Sequence, residues 1–386
     1  MNKKIFPSIE SKFAGLASKL NKKNKIKYSF GLGEPFFNTP KEVILSAFKA
    51  MNKGLTRYGS PLGIESLRKE ILKDYRKKNL LNKNDGIIIT PGSKMALSLI
   101  FFSSLEDGDE VINFTPCYSS YVPQILITGK KIKINQISLN KENFSIDFKK
   151  ISKLLNKKTK FILINSPHNP TGKLFNKNEL NQLGKILKMN PNCKVISDEI
   201  YDKYIFENKK MIYPRSIKSL KKKTIILNGF SKTLSMTGWR IGYCIAPKQT
   251  IKKMSLIQQH LNTNVPIFTQ VGALSGLRMS KSIFNNYLRN INKNSKYLEK
   301  KISKTNKLIL NKPEGGFFCF ISIKKLKLNS DKFCYQILKK QKIAITPGHY
   351  FGKEWKNYIR ISMVIEHTKF KRATDLLFKF INKKRA

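Results

Sequence analysis

Short apolar segments alternate with amphipathic ones through the middle of this 386-residue chain. Each apolar segment is hydrophobic almost throughout, as expected of a strand that is covered on both faces of a sheet. The segments between them have the length and pattern of helices, which predicts an α/β fold with a mostly parallel sheet. The predicted strands are Gly86–Thr90, Glu110–Thr115, Lys160–Asn165, Lys194–Asp198, Thr224–Asn228 and Ile241–Ala246.

Helices are predicted between these strands, for example at Lys94–Leu105 and Asn178–Met189. Another is expected to begin at Thr39-Pro40-Lys41-Glu42, where the threonine would be the N-cap and the glutamate would complete a capping box. Gly54 is expected to close that helix. A long polar helix is predicted from about Ser280 to about Lys307, leading into a second, smaller α/β unit.

The charge balance is unusual, with 75 Lys and Arg residues against 24 Asp and Glu residues and a formal net charge of +51. One interpretation is a surface that binds polyanions. The interpretation that we favour is a compositional bias, because short lysine runs such as Lys221-Lys222-Lys223 are scattered through nearly every segment. No basic stripe interleaved with aromatics indicates a specific nucleic-acid site, although weak, non-specific binding to polyanions remains open.

The five cysteines are odd in number and far apart, and no Cys/His cluster accompanies them. This pattern predicts neither a metal site nor a disulfide framework. Glu10 and Lys12 interrupt any apolar core of a signal peptide, and the longest apolar stretch is too short to cross a bilayer. We therefore expect a cytoplasmic protein with no membrane span.

A lysine and an arginine follow the predicted strand Thr224–Asn228, in Gly229-Phe230-Ser231-Lys232 and Thr237-Gly238-Trp239-Arg240-Ile241-Gly242. A buried lysine shifts easily to the neutral amine, which is the form that condenses with a carbonyl. Arg240, beside small residues, suits a phosphate oxyanion. In a chain so rich in lysine, Lys232 could also be a solvated residue near a strand end.

Other polar segments also follow predicted strands. In Asp198-Glu199-Ile200-Tyr201 the first carboxylate lies where open α/β sheets bind ligands, or it is a helix N-cap. Glu199 is expected to face solvent.

Pro91-Gly92-Ser93-Lys94 opens a helix, whose N-terminus predicts a phosphate site. The segment from Asn165 to Gly172 has the composition of a turn.

Arg360 lies on a predicted strand in Tyr358-Ile359-Arg360-Ile361-Ser362, flanked by apolar residues. A buried arginine needs an anionic partner. Near the other end of the chain, Gly33 would allow the backbone to approach a ligand closely, or it is an ordinary loop glycine.

From Gly229 to Gly242 the chain resembles the Schiff-base signature of the class I/II aminotransferases, which are pyridoxal phosphate (PLP) enzymes of fold type I. The resemblance runs from Gly31-Leu32-Gly33-Glu34-Pro35 to Arg360-Ile361-Ser362, and it is strongest to the branch with bacterial aspartate and broad-specificity aminotransferases. It implies a large PLP-binding domain at residues 39–280 and a small domain at 281–386, to which residues 1–38 contribute. It also implies a homodimer with shared active sites.

The resemblance also assigns roles to individual residues. Lys232 would carry PLP as a Schiff base and transfer the proton, and Asp198 would face the pyridine nitrogen. Tyr118 would stack on the ring as a third catalytic residue, unless it is a core tyrosine. The remaining assignments are Asn169 and Tyr201 at the phenolic oxygen, Ser93, Lys94, Ser231, Arg240 and the neighbouring subunit's Tyr58 at the phosphate, and Arg360, Gly33 and Asn169 at the substrate.

Some features depart from the family or lie beside the site. Gly229 occupies the position of a phosphate-binding serine in many relatives, and Ser231 would compensate. The loop Gln258–Thr269 lacks the arginine with which another branch reads a second carboxylate. His168 is expected to be a neighbour of the site, not its base. The resemblance also implies cis bonds before Pro116 and Pro170.

The expected reaction is transfer of an amino group from an L-amino acid to a 2-oxo acid, with 2-oxoglutarate as the acceptor by analogy. Two alternatives remain open. A PLP β-lyase would use the same lysine, aspartate and arginine. A basic binding protein that retains an old enzyme fold would need none of them.

Overall fold

A seven-stranded sheet forms the centre of the larger part of the chain in the computed structural model, which describes residues 27–31, 33–280 and 282–383. All strands but one are parallel, and the exception, Gly242–Pro247, is antiparallel to both neighbours. The α/β prediction is confirmed. Across the sheet the strands lie in the order Asp85–Thr90, Gly242–Pro247, Thr224–Gly229, Lys194–Asp198, Thr159–Asn165, Glu110–Thr115 and Lys133–Ser138.

Helices cover both faces of this sheet. On the strand Asp85–Thr90, Ile88 packs in one apolar cluster while Ile87 and Ile89 pack in another. Such two-sided burial explains why the predicted strands are hydrophobic throughout. The helices of this part are Lys41–Asn52, Glu65–Lys77, Ser93–Ser104, Tyr121–Leu126, Phe148–Leu154, Lys177–Ile186, Lys218–Lys221, Lys248–Asn262 and Ile267–Arg278, with short 3₁₀ turns at Leu187–Met189 and Pro214–Ser216.

A smaller antiparallel sheet lies in the C-terminal part of the chain. Its strands follow the order Thr346–Pro347, Tyr358–Ser362, Phe318–Ser322 and Ile309–Leu310. Tyr28–Ser29, near the start of the described residues, pairs in parallel with Ile343–Ala344. The remaining elements are the helices Ser282–Ile302, Ser330–Gln341 and His367–Asn382 and the 3₁₀ turns Lys324–Leu326, Gly348–Phe351 and Lys353–Trp355.

The start of the helix Lys41–Asn52 differs from the prediction. Pro40 is the N-cap, and no side chain caps the helix, so the predicted capping box is wrong. The Thr39 hydroxyl instead donates to the Ser235 carbonyl at 2.8 Å, because the segment is held against the loop that follows Lys232. Gly54 does end the helix, with a φ of 75°.

The long polar helix and one edge strand also differ from the prediction. The polar helix is Ser282–Ile302, which is shorter at both ends than the predicted range. The edge strand Lys133–Ser138 was not predicted, because its side chains are mostly polar and only one of them is buried, so they give no continuous apolar run. Residues 1–26 of the predicted N-terminal segment lie outside the described residues.

The sheet brings the functional segments to one edge. The adjacent parallel strands Thr159–Asn165, Lys194–Asp198 and Thr224–Gly229 end side by side, with Asn165 paired to Asp198 and Asp198 paired to Leu227. Ligands of open α/β sheets bind beyond the carboxyl ends of the strands. The loops that carry Asn169, Asp198 and Lys232 therefore meet at the position where this fold class binds ligands.

Candidate functional site

A cavity of about 500 Å³ lies at this edge of the sheet. The large sheet, the small sheet and the segment that includes Gly31 and Gly33 all contribute to its wall. Every predicted site residue except Tyr58 lines it. These residues are Gly33, Ser93, Lys94, Tyr118, Asn169, Asp198, Tyr201, Ser231, Lys232, Arg240 and Arg360.

The Lys232 amine lies in this cavity. Its Nζ donates to the Gly33 carbonyl at 2.7 Å, and the Lys232 carbonyl accepts from the Tyr204 hydroxyl at 2.6 Å. The side chain is half-buried. The residue is therefore anchored at its backbone and placed against the cavity wall, unlike the solvated residue of the alternative interpretation.

The Asp198 carboxylate lies at the end of the neighbouring strand. Its Oδ2 accepts from the Tyr121 hydroxyl at 2.7 Å, and its Oδ1 accepts from the Ile200 N–H at 3.3 Å. Burial raises the pKa of Asp198, whereas these two hydrogen bonds and the nearby Lys232 oppose that rise. The chain after Asp198 forms turns, so the alternative of a helix N-cap is wrong.

A candidate anion site lies at the N-terminus of the helix Ser93–Ser104. Gly92 precedes this helix with a φ of 83°, a conformation that favours glycine. A Cβ on Gly92 would lie 2.5 Å from Nη2 of Arg240, and a Cβ on Gly242 would lie 2.4 Å from the Ser93 nitrogen. Both positions need glycine because the guanidinium and the first helical N–H share this narrow space.

The donors of this anion site are held by the backbone. Arg240 donates from Nη1 to the Thr237 carbonyl at 2.8 Å, which fixes the guanidinium beside the helix. The Lys94 ammonium lies 5.5 Å from the centre of the Tyr118 ring. A helix N-terminus next to a guanidinium is an arrangement that binds phosphate.

Gly229, the position of the family's serine, has no room for a side chain. A Cβ there would lie 2.9 Å from the Cα of Gly242. Ser231, two residues later, lines the cavity. The local packing therefore accounts for the glycine.

A pair of asparagines connects Asp198 to the small sheet. Asn165 donates from Nδ2 to the Asp198 carbonyl at 2.9 Å, and its Oδ1 accepts from the Asn169 N–H at 2.7 Å. The Asn169 Oδ1 then accepts from Arg360 Nη1 at 3.1 Å. Tyr201, which also lines the cavity, packs edge-on against Phe317 with ring centres 5.0 Å apart.

The Arg360 side chain is 2% exposed and lies between two aromatic rings. Its guanidinium carbon is 4.1 Å from the centre of the Phe318 ring and 4.9 Å from that of Phe351. Nη2 donates to the Gly31 carbonyl at 2.8 Å. These contacts fix the plane of the guanidinium, which is the geometry that binds a carboxylate through two hydrogen bonds.

The cavity has an excess of positive charge. Its basic groups are on Lys94, Lys232, Arg240 and Arg360, against the carboxylates of Glu34 and Asp198. The anion site and Arg360 are contributed by different sheets. The arrangement therefore suits ligands that carry two anionic groups.

Two expectations about neighbouring residues have different outcomes. Glu199 is 0% exposed, so the expectation that it faces solvent is wrong. Its carboxyl accepts from Ser197 at 2.9 Å and from Tyr75 at 3.4 Å, and burial raises its pKa to about 8. His168 does not line the cavity, and burial lowers its pKa to about 3, which agrees with its assignment as a neighbour.

Three more observations complete the comparison with the sequence. Tyr58 is 87% exposed and lies outside the cavity of this chain. The bonds before Pro116 and Pro170 are cis, as the resemblance implied, and the bond before Pro167 is also cis. Tyr121 was not predicted, although it lies three residues after Tyr118 on the same wall of the cavity.

The model of the family described as aminotransferase class I and II matches residues 25–377. The chain belongs to this family. It is 33% identical to an aspartate aminotransferase of Pyrococcus abyssi, with 92% of each chain covered. It is 30% identical to aromatic-amino-acid aminotransferase 2 of Thermococcus litoralis, also over 92% of each. The crystal structure of Thermotoga maritima aspartate aminotransferase matches with a TM-score of 0.88 at 29% identity, covering 98% of both chains.

The protein is thus a PLP-dependent aminotransferase, and the cavity fits that cofactor. PLP presents an aldehyde, a pyridine nitrogen and a phosphate. The Lys232 amine, the Asp198 carboxylate and the anion site at Ser93 and Arg240 are complementary to these three groups. The missing side chains at Gly92 and Gly242 leave room for the Arg240 guanidinium and the Ser93 N–H to lie side by side on this wall.

Other site types find no support in the described ranges. Within residues 27–31, 33–280 and 282–383, no cluster of three His, Cys, Asp or Glu side chains is arranged to hold a metal ion. No helix in that part of the chain combines the length and apolarity that crossing a membrane requires. The five cysteines, all described, are buried and form no disulfide.

The anion site yields a test with a matched control. Gly242→Ala would place a methyl group against the Ser93 nitrogen, and we expect PLP affinity to fall about tenfold or more, because overpacked sites must shift. Gly238→Ala, four residues away, enters open space and should keep wild-type affinity. Equilibrium dialysis measures both. Wild-type affinity in Gly242→Ala would contradict the assignment.

Proposed function

We propose that this aminotransferase moves the amino group of an L-amino acid to 2-oxoglutarate in two half-reactions that use the same cavity. The observation that carries the proposal is the convergence of four groups on one cavity. These are the Lys232 amine, the Asp198 carboxylate, the anion site at Ser93 and Arg240, and the Arg360 guanidinium. The order of events would be ping-pong, because one cavity must take the donor and the acceptor in turn.

The proposed contacts to the cofactor follow from this placement. Lys232 would hold the aldehyde carbon, and Ser93, Lys94, Ser231 and Arg240 would hold the phosphate. Asn169 and Tyr201 would bind the phenolic oxygen, and Tyr118 would contact the ring. When bound, PLP supplies an electron sink for the charge released at the substrate α-carbon.

We propose that the chain controls protons at two positions, the ring nitrogen of the cofactor and the α-carbon of the substrate. The Asp198 carboxylate would keep a proton on the ring nitrogen, because a buried anion stabilises the adjacent positive charge. The Lys232 amine, once replaced by the substrate amine, would remove the proton from the substrate α-carbon and deliver it to the carbon that was the cofactor's aldehyde. Its half-buried position limits competition by water.

The substrate α-carboxylate would bind to Arg360, with Asn169 and Gly33 beside it. The guanidinium plane is fixed by the Phe318 and Phe351 rings, so little side-chain entropy is lost on binding. A Cβ at Gly33 would lie 3.1 Å from the Phe318 ring, so a side chain has little room there. The backbone of Gly33 therefore forms this part of the cavity wall.

We propose acidic or aromatic amino acids as donors. The named relatives are aspartate and aromatic-amino-acid aminotransferases. The β-lyase alternative would use the same residues. A lyase would release the amino nitrogen as ammonia, whereas an aminotransferase keeps that nitrogen on the bound cofactor.

A single-turnover experiment tests the proposed function. PLP-loaded protein mixed with one amino acid and no acceptor should yield about one equivalent of pyridoxamine phosphate and one of 2-oxo acid per site. Chromatography of the reaction products measures both. Lys232→Ala should yield none, because it lacks the proton-transfer amine. Release of ammonia with PLP unchanged would select the lyase instead.

A second variant tests the substrate arginine. Arg360→Lys keeps the charge but loses the paired hydrogen bonds, so we expect kcat/KM for the amino acid to fall about a hundredfold. The affinity for PLP should stay at the wild-type level, since Arg360 contacts the substrate. A loss of PLP affinity with unchanged kcat/KM would contradict this division of roles.

We also propose a homodimer with shared active sites. The helix Lys41–Asn52 exposes Ile44, Leu45, Phe48 and Met51, an apolar row that a single chain leaves in contact with water. Its other face packs on the helix Ile267–Arg278. Tyr58 follows this helix, and its exposure is consistent with a contact to the partner's cofactor phosphate.

Complementation tests the shared site. Co-expressed Tyr58→Ala and Lys232→Ala chains form hybrid dimers in which one site has both residues, so about a quarter of wild-type activity should return. Each variant expressed alone provides the baseline. Activity no higher than the mean of the two baselines would show that Tyr58 serves its own chain's site or none.

The remaining proposals concern the wider context. We propose that residues 39–280 form the large domain, and that residues 281–386 together with the N-terminal segment 1–38 form the small one. The pairing of Tyr28–Ser29 with Ile343–Ala344 supports that division. A cytoplasmic location and the absence of a specific nucleic-acid partner remain proposals. A basic binding protein would not need the four converging groups of the cavity.

A further inference from the structure

Tyr121 makes the shortest hydrogen bond to the Asp198 carboxylate, with 2.7 Å between the hydroxyl oxygen and Oδ2. The second hydrogen bond, from the Ile200 N–H, is 3.3 Å long. A short bond from a hydroxyl to a carboxylate is among the stronger kinds in proteins. Tyr121 is therefore the principal hydrogen-bond donor to the group that we place against the cofactor's ring nitrogen.

The position of Tyr121 is fixed by its surroundings. The residue begins the helix Tyr121–Leu126 and is buried. Its N–H donates to the Tyr118 carbonyl at 3.1 Å, and the two rings pack edge-on with centres 5.5 Å apart. The same side chain thus supports the ring of Tyr118 and the carboxylate of Asp198.

The pKa shifts of Tyr121 and Asp198 show which of the two groups donates the hydrogen bond. Burial raises the pKa of Tyr121 well above its usual range, so the hydroxyl keeps its proton and acts as the donor. Burial also raises the pKa of Asp198, and the Tyr121 hydroxyl opposes that rise by stabilising the anion. The other titratable groups that act on the pair are Lys232, Tyr201 and Cys117.

We propose that Tyr121 is a positioning residue of the aminotransferase reaction, whose hydroxyl orients the Asp198 carboxylate and keeps it charged toward the cofactor's ring nitrogen. This inference rests on the proposed role of Asp198. It adds a residue that acts on the cofactor through the Asp198 carboxylate.

The test compares Tyr121→Phe with Tyr75→Phe. Tyr75 is a matched control because its buried hydroxyl also contacts a carboxyl group, that of Glu199, outside the cavity. Removing the Tyr121 hydroxyl should weaken PLP binding about tenfold, as expected for a lost hydrogen bond to a charged group. Equilibrium dialysis measures this affinity independently of turnover, and Tyr75→Phe should bind PLP as the wild type does.

The pH profile provides a readout that a purely structural role would not change. Loss of the donor disfavours the anion, so the pKa of Asp198 should rise. The acid limb of kcat/KM should then move to higher pH by about one unit in Tyr121→Phe, which corresponds to the tenfold loss. The limb should not move in Tyr75→Phe.

A double mutant separates the possible outcomes. If Tyr121 acts through Asp198, adding Tyr121→Phe to Asp198→Asn should weaken PLP binding no further. An additive loss, an unmoved acid limb or an equal loss in Tyr75→Phe would each overturn the inference while the wild type still transaminates. A wild type that forms no pyridoxamine phosphate would overturn the proposed function, and this inference with it.

Discussion

The placement of one carboxylate and one amine in the same sheltered cavity is the constraint on which the rest of the site depends. Asp198 and Lys232 follow adjacent parallel strands, so the pairing of Asp198 with Leu227 sets the distance between their loops. Burial raises the pKa of Asp198, and the cationic Lys232 nearby opposes that rise. A charged group in such a cavity is stable only with partners, and the fold supplies them from several segments of the chain.

The supporting elements follow from that constraint. Tyr121 and the Ile200 N–H bind the Asp198 carboxylate, while the Gly33 carbonyl accepts from the Lys232 amine. The glycines at 92 and 242 bring a helix N-terminus and Arg240 to the same wall. Arg360 reaches the cavity from the smaller sheet and is joined to the larger one through Asn169. The Arg360 guanidinium is 2% exposed and would be costly to bury without these partners.

Features with a local cause were predictable from the sequence. The six predicted strands agree with the structure to within one residue at each end, because strands covered on both faces are hydrophobic throughout. The exposed edge strand Lys133–Ser138 carries no such signal. Thr39 was misassigned as a cap because its hydroxyl bonds to Ser235, a contact between distant parts of the chain. The burial of Glu199 and the contact between Tyr121 and Asp198 were missed for the same reason, since both depend on the tertiary fold.

Chemical trapping can identify the lysine that holds the cofactor. Borohydride reduction of the PLP-loaded protein fixes the cofactor to the amine that holds it, and proteolysis with mass spectrometry identifies that residue. We expect one modified lysine per chain, at Lys232, and we expect the modification to be lost when Asp198→Asn weakens cofactor binding. Modification at Lys94 or at scattered lysines, with Lys232 unmodified, would contradict this expectation.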